Sequence, residues 1–371
     1  MGLHDLIHSV GARAKQWALR RRVRYLSRQD WDAWHEKVFR LHPEYRRPAP
    51  PEAERRHLEL WRPLRPDMKL DTFRACYNMS GCTDPEIVPE EVYTSEIQAA
   101  LNRYDFSLFL DNKSFLNRWL PDGLAPEVYL HGMDGQILDG GYEPLDAPQV
   151  DRLLERIEYP AVFKPSMGSG GIGVHFVADR VELERRMEGA RNFVVQHRIR
   201  QHAFFDRFYD QCLNTIRVCV YRSVGDEGIR VLNAALRMGK GGSLDNLTSG
   251  GIQCFVHPDG RLSDHALDNW GERFVRHPDT GVDFTERHQV PRYDELKELA
   301  VRLTRQCFLT RLVSFDFALD ADGRWRVVEI NLRNQTIQMA QYHGHPFFGP
   351  FTHEVIEHCK ENPRWTVTLP P

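Results

Sequence analysis

Long apolar runs are missing from this sequence. No stretch of its 371 residues approaches the ~20 apolar residues of a membrane-spanning helix, and mean hydropathy is −0.52. The opening segment Met1 to Trp17 lacks the apolar core of a secretory signal, so the expected location is the cytoplasm. A charge excess is missing too. Lys and Arg total 49 against 52 Asp and Glu, a net charge of −3. That balance argues against a general polyanion binder and sets the expectation of no nucleic-acid partner. Cysteine is sparse: Cys76, Cys82, Cys212, Cys219, Cys254, Cys307 and Cys359 are scattered, odd in number and never spaced as CxxC. Reduced thiols are expected, with neither a disulfide frame nor a zinc site. The 17 histidines are dispersed and form no HExxH. No GxxxxGK[ST], HRD or DFG occurs, which excludes a Walker-type phosphate loop and a protein kinase.

What is present is ordinary globular material, 41% hydrophobic and 27% charged. At about 150 residues per domain the length allows two or three lobes. Residues 1 to about 65 are rich in Arg, Trp and His, and Trp17, Leu19, Val23, Tyr25, Leu26, Trp31, Trp34 and Val38 suggest helices. The stretch Pro48 to Pro51 marks a turn or short linker. Residues 13 to 28 carry seven Lys or Arg and no acid. Such a run reads either as a solvated helix face or as a contact with an anionic membrane or polymer. Residues 1–100 lack a βαβ rhythm and are expected to be mostly helical.

Beyond residue 100 short strands alternate with glycine turns and helices. Strands are expected at Ala161 to Pro165, Gly173 to Val177, Asn192 to Gln196, Thr215 to Arg222, Arg230 to Met238, Ile252 to Val256, Leu312 to Leu319 and Trp325 to Asn331. Arg180 to Gly189 and Arg292 to Phe308 are expected to be helices. The second of these places Leu296, Leu299, Ala300, Leu303 and Cys307 on one face. Asp320-Ala321-Asp322-Gly323 is a hairpin signal. The mix is α+β with mainly antiparallel sheets.

Two motifs carry chemistry. In Lys164-Pro165-Ser166-Met167-Gly168-Ser169-Gly170-Gly171-Ile172-Gly173 the glycines satisfy GxGxxG, but a strand follows, not a helix. The loop therefore joins two strands. A glycine hairpin can lie close over phosphates because its N–H groups are unshielded, and Lys164 would set a cation beside them. A plain glycine turn would read the same. The second motif decides between them. Alternation along Val327 to Asn331 puts Glu329 and Asn331 on one face, and the hairpin brings Asp316 alongside. Acids among Phe, Val and Ile are costly unless they bind something, and three hard oxygen ligands suit Mg²⁺.

With these residues the sequence resembles the ATP-grasp superfamily, over about residues 100 to 345. Asp111-Asn112-Lys113 is similar to that family's first nucleotide lysine. Lys164 is similar to the second, followed by the flap carrying Ser166, Gly168, Ser169, Gly170 and Gly171. Phe193 to His197 resembles the hinge strand whose backbone reads adenine, which implies nucleotide contacts at Gln196, His197 and Ile199. Asp316, Glu329 and Asn331 resemble the magnesium triad. Asn214 to Arg217, Arg237, Asp245-Asn246 and Gly250-Gly251-Ile252 look most like the sugar-transfer-associated group. Three positions depart from the common pattern: His197 stands where a glutamate is frequent, Leu332-Arg333-Asn334-Gln335 replaces Thr-x-Pro-Gly, and Ser314 replaces an arginine.

The resemblance implies two α+β lobes gripping ATP, at residues 101–200 and 201–371, behind a helical region at 1–100. It implies ATP and Mg²⁺ as cofactors and activation of a carboxylate as an acyl phosphate, which an amine then displaces. The product would be an amide in sugar, polysaccharide or peptide modification. A kinase phosphorylating a hydroxyl and a nucleotide-binding module without chemistry remain the alternatives. Arg217 and Arg237 are expected to contact the transferring phosphoryl group or the substrate carboxylate. Asn246, Gly250 and Gly251 would shape the acceptor pocket, and His343 or His345 would meet the acceptor. Expected partners are a small-molecule or glycan carboxylate and an amine, with possible peripheral contact to membrane or polysaccharide machinery through the basic amino-terminal run.

Overall fold

The structure, a computed structural model, describes residues 3–168, 171–333 and 335–366. It opens with a helix of 39 residues, Leu3–Leu41, followed by helices Pro51–Trp61 and Asp71–Ser80. Pro48 and Pro50 break the chain before the second helix, and Pro51 opens it, where its missing N–H costs nothing. The first helix is held by charge. Arg24 Nε donates to Glu96 Oε1 at 2.6 Å, and Arg28 and the fully buried Arg65 both lie 3.1 Å from Glu91 Oε2. Arg20 lies 3.7 Å from Glu96. Three of the seven bases between residues 13 and 28, Arg20, Arg24 and Arg28, therefore turn inward.

The first sheet comprises β1 (Val128–Met133), β2 (Gln136–Asp139), β3 (Ala161–Pro165), β4 (His175–Val177) and β5 (Phe193–His197). Its order is β2-β1-β5-β3-β4 and every pair is antiparallel. Alternation divides the strands between two faces. Ala161, Phe163, Val177, Phe193 and Val195 pack under helices Ala147–Leu154 and Arg180–Met187 through Leu154 and Leu183. Val162, Lys164, Phe176 and Gln196 point the other way.

The second sheet comprises β6 (Thr215–Arg222), β7 (Ile229–Met238), β8 (Ile252–Val256), β9 (Ala266–Asp268), β10 (Arg273–Phe274), β11 (Leu312–Leu319) and β12 (Trp325–Asn331). Its order is β10-β9-β8-β7-β6-β11-β12, again antiparallel throughout. One face carries Ile216, Val218, Leu236, Cys254, Phe315 and Phe317. It packs on helix Tyr293–Thr304 through Leu296, Leu299, Ala300 and Leu303. The other face carries Cys219, Tyr221 and Ala235 and is covered by Tyr93, Ile97, Met339, Phe347, Val355 and Ile356. That cover stops short of Thr215, Arg237 and Asp316, which line an open cleft against the first sheet. All seven cysteines are unpaired, and all but Cys82 are buried.

Candidate active site

The cleft encloses about 1020 Å³, its solvent-facing mouth included. The upper wall is the inner face of the first sheet, Val162, Lys164, Phe176 and Gln196, with Met167, Gly168, Gly171, Ile172 and Val174 of the glycine loop. The lower wall brings Thr215, Arg237, Asp316, Val328 and Glu329 from the second sheet, and Leu244, Asp245 and Asn246 from the loop after β7. Pro126, His197, Arg198, Ile199 and Leu213 join them. Gly171 is required at the flap. Its φ is +72°, and a Cβ there would sit 2.9 Å from Leu244 Cδ1. The flap and the β7–β8 loop thus touch across the cleft.

Asp316 is the electrostatic centre. It is paired in register with Arg217 of β6 on one side and Glu329 of β12 on the other. Arg217 Nε and Nη2 donate to Asp316 Oδ1 and Oδ2 at 2.7 Å each, and Arg237 Nη1 donates to Oδ2 at 2.8 Å. Asn331 Nδ2 lies 3.4 Å from the same oxygen. Burial alone would raise the Asp316 carboxyl; the two guanidinium groups outweigh it and hold it well below the usual carboxylate range. Glu329 takes a different cation: Lys113 Nζ lies 2.8 Å from its Oε1 and also donates to Gly168 O at 2.7 Å. Lys164 is 5% exposed and makes no ion pair among the described residues. Burial, with the like charge of Lys113, lowers its ammonium to about 8.

The loop bearing Lys113 is fixed at both ends. Lys113 N donates to Ser166 O at 2.8 Å, and Ser114 Oγ meets Ser166 Oγ at 2.5 Å. Asp111 accepts from Arg333 Nε at 3.0 Å and from Leu332 N at 3.2 Å, so the loop is tied to the end of β12. Burial raises the Asp111 carboxyl against the pull of Arg333. Two departures from the ATP-grasp pattern meet here. Ser314 Oγ donates to Gln335 Oε1, and Gln335 Nε2 donates to Asn331 O at 2.8 Å. The serine and the glutamine form one interaction that braces the strand end carrying Asn331.

Of the residues singled out from the sequence, Lys113, Lys164, Gly168, Gly171, Gln196, His197, Ile199, Arg237, Asn246, Asp316 and Glu329 line the cleft. Arg217 stands behind Asp316, Asn331 beside it, and Ser166 beneath the flap as a buried brace. Gly250 and Gly251 lie behind the loop; a Cβ on Gly251 would strike Asp245 O at 2.9 Å. Ser169 and Gly170 lie outside the described residues. His343 and His345 are elsewhere. His343 packs on His265 with ring centroids 4.5 Å apart, and His345 stacks on Phe255 at 4.1 Å. Neither lines the cleft, which corrects the acceptor role expected of them. Asp245 was missed. It lines the cleft, accepts a hydrogen bond from Thr215 Oγ1 and sits 4.0 Å from Arg237 Nη2, and burial raises its carboxyl. Its place directly before Asn246, in the Asp245-Asn246 pair, was the available signal.

Residues 184–346 match the family model described as sugar-transfer associated ATP-grasp. No curated protein matches the chain in sequence. Solved structures similar to it include the biotin carboxylase domain of the Hydrogenobacter thermophilus 2-oxoglutarate carboxylase, in complex with MgADP, ADP and bicarbonate. That likeness has 14% identity and a TM-score of 0.43 over 72% of this chain and 51% of that one. Biotin carboxylase from Campylobacter jejuni has 16% identity and a TM-score of 0.41 over 70% and 49%. The N5-carboxyaminoimidazole synthase of Aspergillus clavatus, with ADP and its ribonucleotide, has 10% identity and a TM-score of 0.39 over 69% and 54%. The chain spans about half the length of these structures. The matched residues 184–346 carry β5 through β12 and with them Arg217, Arg237, Asp245, Asp316, Glu329 and Asn331.

Proposed function

We propose that this chain is an ATP-dependent, ADP-forming carboxylate–amine ligase, with residues 101–200 and 201–371 as the two gripping lobes and residues 1–100 as a helical support. The observation that carries the reading is the pairing of charges across one cleft. Lys113, Lys164 and Arg237 face Asp316 and Glu329, beside an apolar slot of Val162, Ile172, Val174, Phe176, Ile199 and Leu213. A flat base fits the slot and a polyphosphate fits the cations.

The donor set also suits magnesium. It is all oxygen: two carboxylates and the Asn331 amide, whose Nδ2 is turned to Asp316. Asp316, Glu329 and Asn331 would hold the ion, which when bound neutralises phosphate charge. Lys113 lies 2.8 Å from Glu329, and a carboxylate that held the ion would leave this lysine to phosphate oxygens.

The remaining roles follow from position. Lys113 and Lys164 bind phosphate oxygens, and the loop from Ser166 to Gly173 closes over them and excludes water. Arg237 reaches the cleft with Asp316 fixing one nitrogen and offers the rest of its fork to the transferring phosphoryl group or the acyl carboxylate. Arg217 holds Asp316. Asp245 and Asn246 form the acceptor end. No enzyme nucleophile is needed, because the substrate carboxylate attacks the γ-phosphorus and ADP leaves. The amine then attacks the acyl carbon, phosphate leaves, and the amine proton goes to solvent or to a carboxylate. The group's name directs attention to sugar acids and amino sugars as substrates, in polysaccharide or peptide modification.

The test is ATP turnover with Mg²⁺, a panel of uronic acids and amino acids, and hydroxylamine. Release of ADP with formation of a hydroxamate supports the ligase. A stable phosphoester would establish the kinase instead, and absence of ADP across the panel and its amine acceptors would leave only nucleotide binding.

A further inference from the structure

Histidines that the cleft does not use meet at one place in the second sheet. His343 and His345 lie on the turn after helix Gln338–Gln341, His257 follows β8, and His265 precedes β9. The His343 ring packs on His265 with centroids 4.5 Å apart. His345 stacks on Phe255 at 4.1 Å and meets His257 at 5.7 Å. Both ring nitrogens of His343 are shut off from solvent and have no hydrogen-bond partner. A proton added there makes a buried cation with two unanswered N–H groups.

The charged and titratable groups around His343 are His345 on its own turn, His257, Asp264 and His265 from the β8–β9 connection, and Arg273 of β10. From the helical region, Cys82 packs against the neighbouring Gly344, where a Cβ would sit 3.5 Å from its own. Asp264 is the acid of this set, and it is already taken. His265 Nδ1 lies 2.6 Å from its Oδ1, and Arg273 Nη2 lies 3.6 Å from the same oxygen. Burial lowers the His343, His345 and His265 imidazoles, and the neighbouring rings and Arg273 add to it, against the pull of Asp264 on His265.

The same segment reaches the cleft at its other end. Gln335 Nε2 donates to Asn331 O at 2.8 Å, and Thr336 Oγ1 accepts from Arg217 Nη1 at 3.3 Å. Between the two ends Gln341 clasps Val88, accepting from its N at 2.6 Å and donating to its O at 3.0 Å. One short, hydrogen-bonded stretch thus joins the packed imidazoles to the end of β12.

We propose that His257, His265, His343 and His345 form an acid-sensitive latch on the cleft. Neutral, they pack the turn against β8 and β9. Protonated, they drive it off and slacken the contacts that Gln335 and Thr336 make with Asn331 and Arg217. The sign follows from the direction of the shifts. An imidazole held below its ordinary value, about 6.5, takes up its proton more readily in the loosened form. The latch is therefore fully closed above that pH and weakens as pH falls below it. One pH unit below, each ring kept neutral favours the loosened form about tenfold. Nothing in this latch depends on the ligase reading, and its test uses no ATP.

Hydrogen exchange of the full chain is followed by mass spectrometry at about pH 7.5 and about pH 5.5, corrected for the intrinsic pH dependence of amide exchange. Amides of residues 335–345 are expected to lose about ten- to a thousandfold in protection at the lower pH, for one to three rings charged. Amides of residues 331–333 should lose protection with them. His343→Phe keeps a ring that cannot charge, and His265→Gln removes its partner; each should shrink the loss by up to about tenfold. His353→Gln, at a 73% exposed position on helix Thr352–Glu361, should leave the loss as in the parent. Thermal midpoints at the higher pH show which variants are folded, and His265→Gln decides the matter if His343→Phe is not. Equal protection at both pH values overturns the latch. So does a loss that neither substitution alters, or one at residues 335–345 that stops short of residues 331–333.

Discussion

Arg217 meets Asp316 side-on, Nε to one carboxylate oxygen and Nη2 to the other, both at 2.7 Å and both buried. The pair joins adjacent strands at the floor of the cleft and leaves Arg237 to approach the same carboxylate from the next strand. Removing one member of such a pair leaves a buried charge without its main partner. Arg217→Ala is expected to cost about 3–5 kcal/mol of unfolding free energy, measured by urea titration. Arg217→Lys should cost less but lose the two-point contact. Because Asp316 is held below its ordinary range, its contribution is complete above about pH 4 and is lost as pH falls further. Arg217→Ala should therefore move the acid-unfolding midpoint to higher pH.

Lys164 gives a different pH signature. Its ammonium is lowered to about 8, so the cleft loses one positive charge as pH rises through that value. Nucleotide affinity, followed by calorimetry, should fall above pH 8. Lys164→Arg, which stays charged, should remove that limb. Lys164→Ala should weaken binding at neutral pH by about tenfold or more, the scale of one charge-assisted contact.

Glu329→Gln keeps the shape of the side chain and removes its charge. Turnover is expected to fall about 10³-fold, the scale of losing a preorganised electrostatic group, with the thermal midpoint nearly unchanged because Glu329 is only half-buried. Full ADP formation in this variant would overturn the proposed metal role of Glu329.

Gly171→Ala tests the contact between flap and loop. The left-handed backbone adds about 1 kcal/mol of strain for alanine, and the new methyl meets Leu244. Nucleotide affinity should drop several-fold. Adding Leu244→Ala should restore only the part due to the clash.

Asp245→Asn separates the two ends of the cleft. Nucleotide affinity should stay within about twofold of the parent, since Lys113 and Lys164 are untouched, while hydroxamate or amide formation falls at least about tenfold, one charge-assisted contact's worth. Equal loss of both would make Asp245 a support for Arg237 alone.

Much of the fold was legible because its strands are unambiguous. β3, β6, β8, β11 and β12 occupy the expected residues, being apolar runs bounded by turns. β1 and β2 were hidden. Val128–Met133 carries a buried His131 and a glycine inside it, and Gln136–Asp139 is only four residues long. β9 and β10 are shorter still, with three and two residues, and are held by pairing rather than by composition. At the cleft, the lysines, the glycine loop and the acid–acid–amide set could be read from spacing and resemblance. Asp245 was legible only as the neighbour of Asn246; its own place in the cleft comes from the approach of Thr215 and Arg237 from separate strands. The histidines misled for the converse reason: His343 lies close in sequence to Asn331 but is carried to β8 and β9 by the intervening turns.

One ammonium, that of Lys113, touches both the acid at the mouth of β12 and the carbonyl at the hinge of the glycine hairpin. Whatever displaces Lys113 from that acid therefore also takes away one of the hydrogen bonds that hold Gly168, so a change at the strand end is felt at the loop.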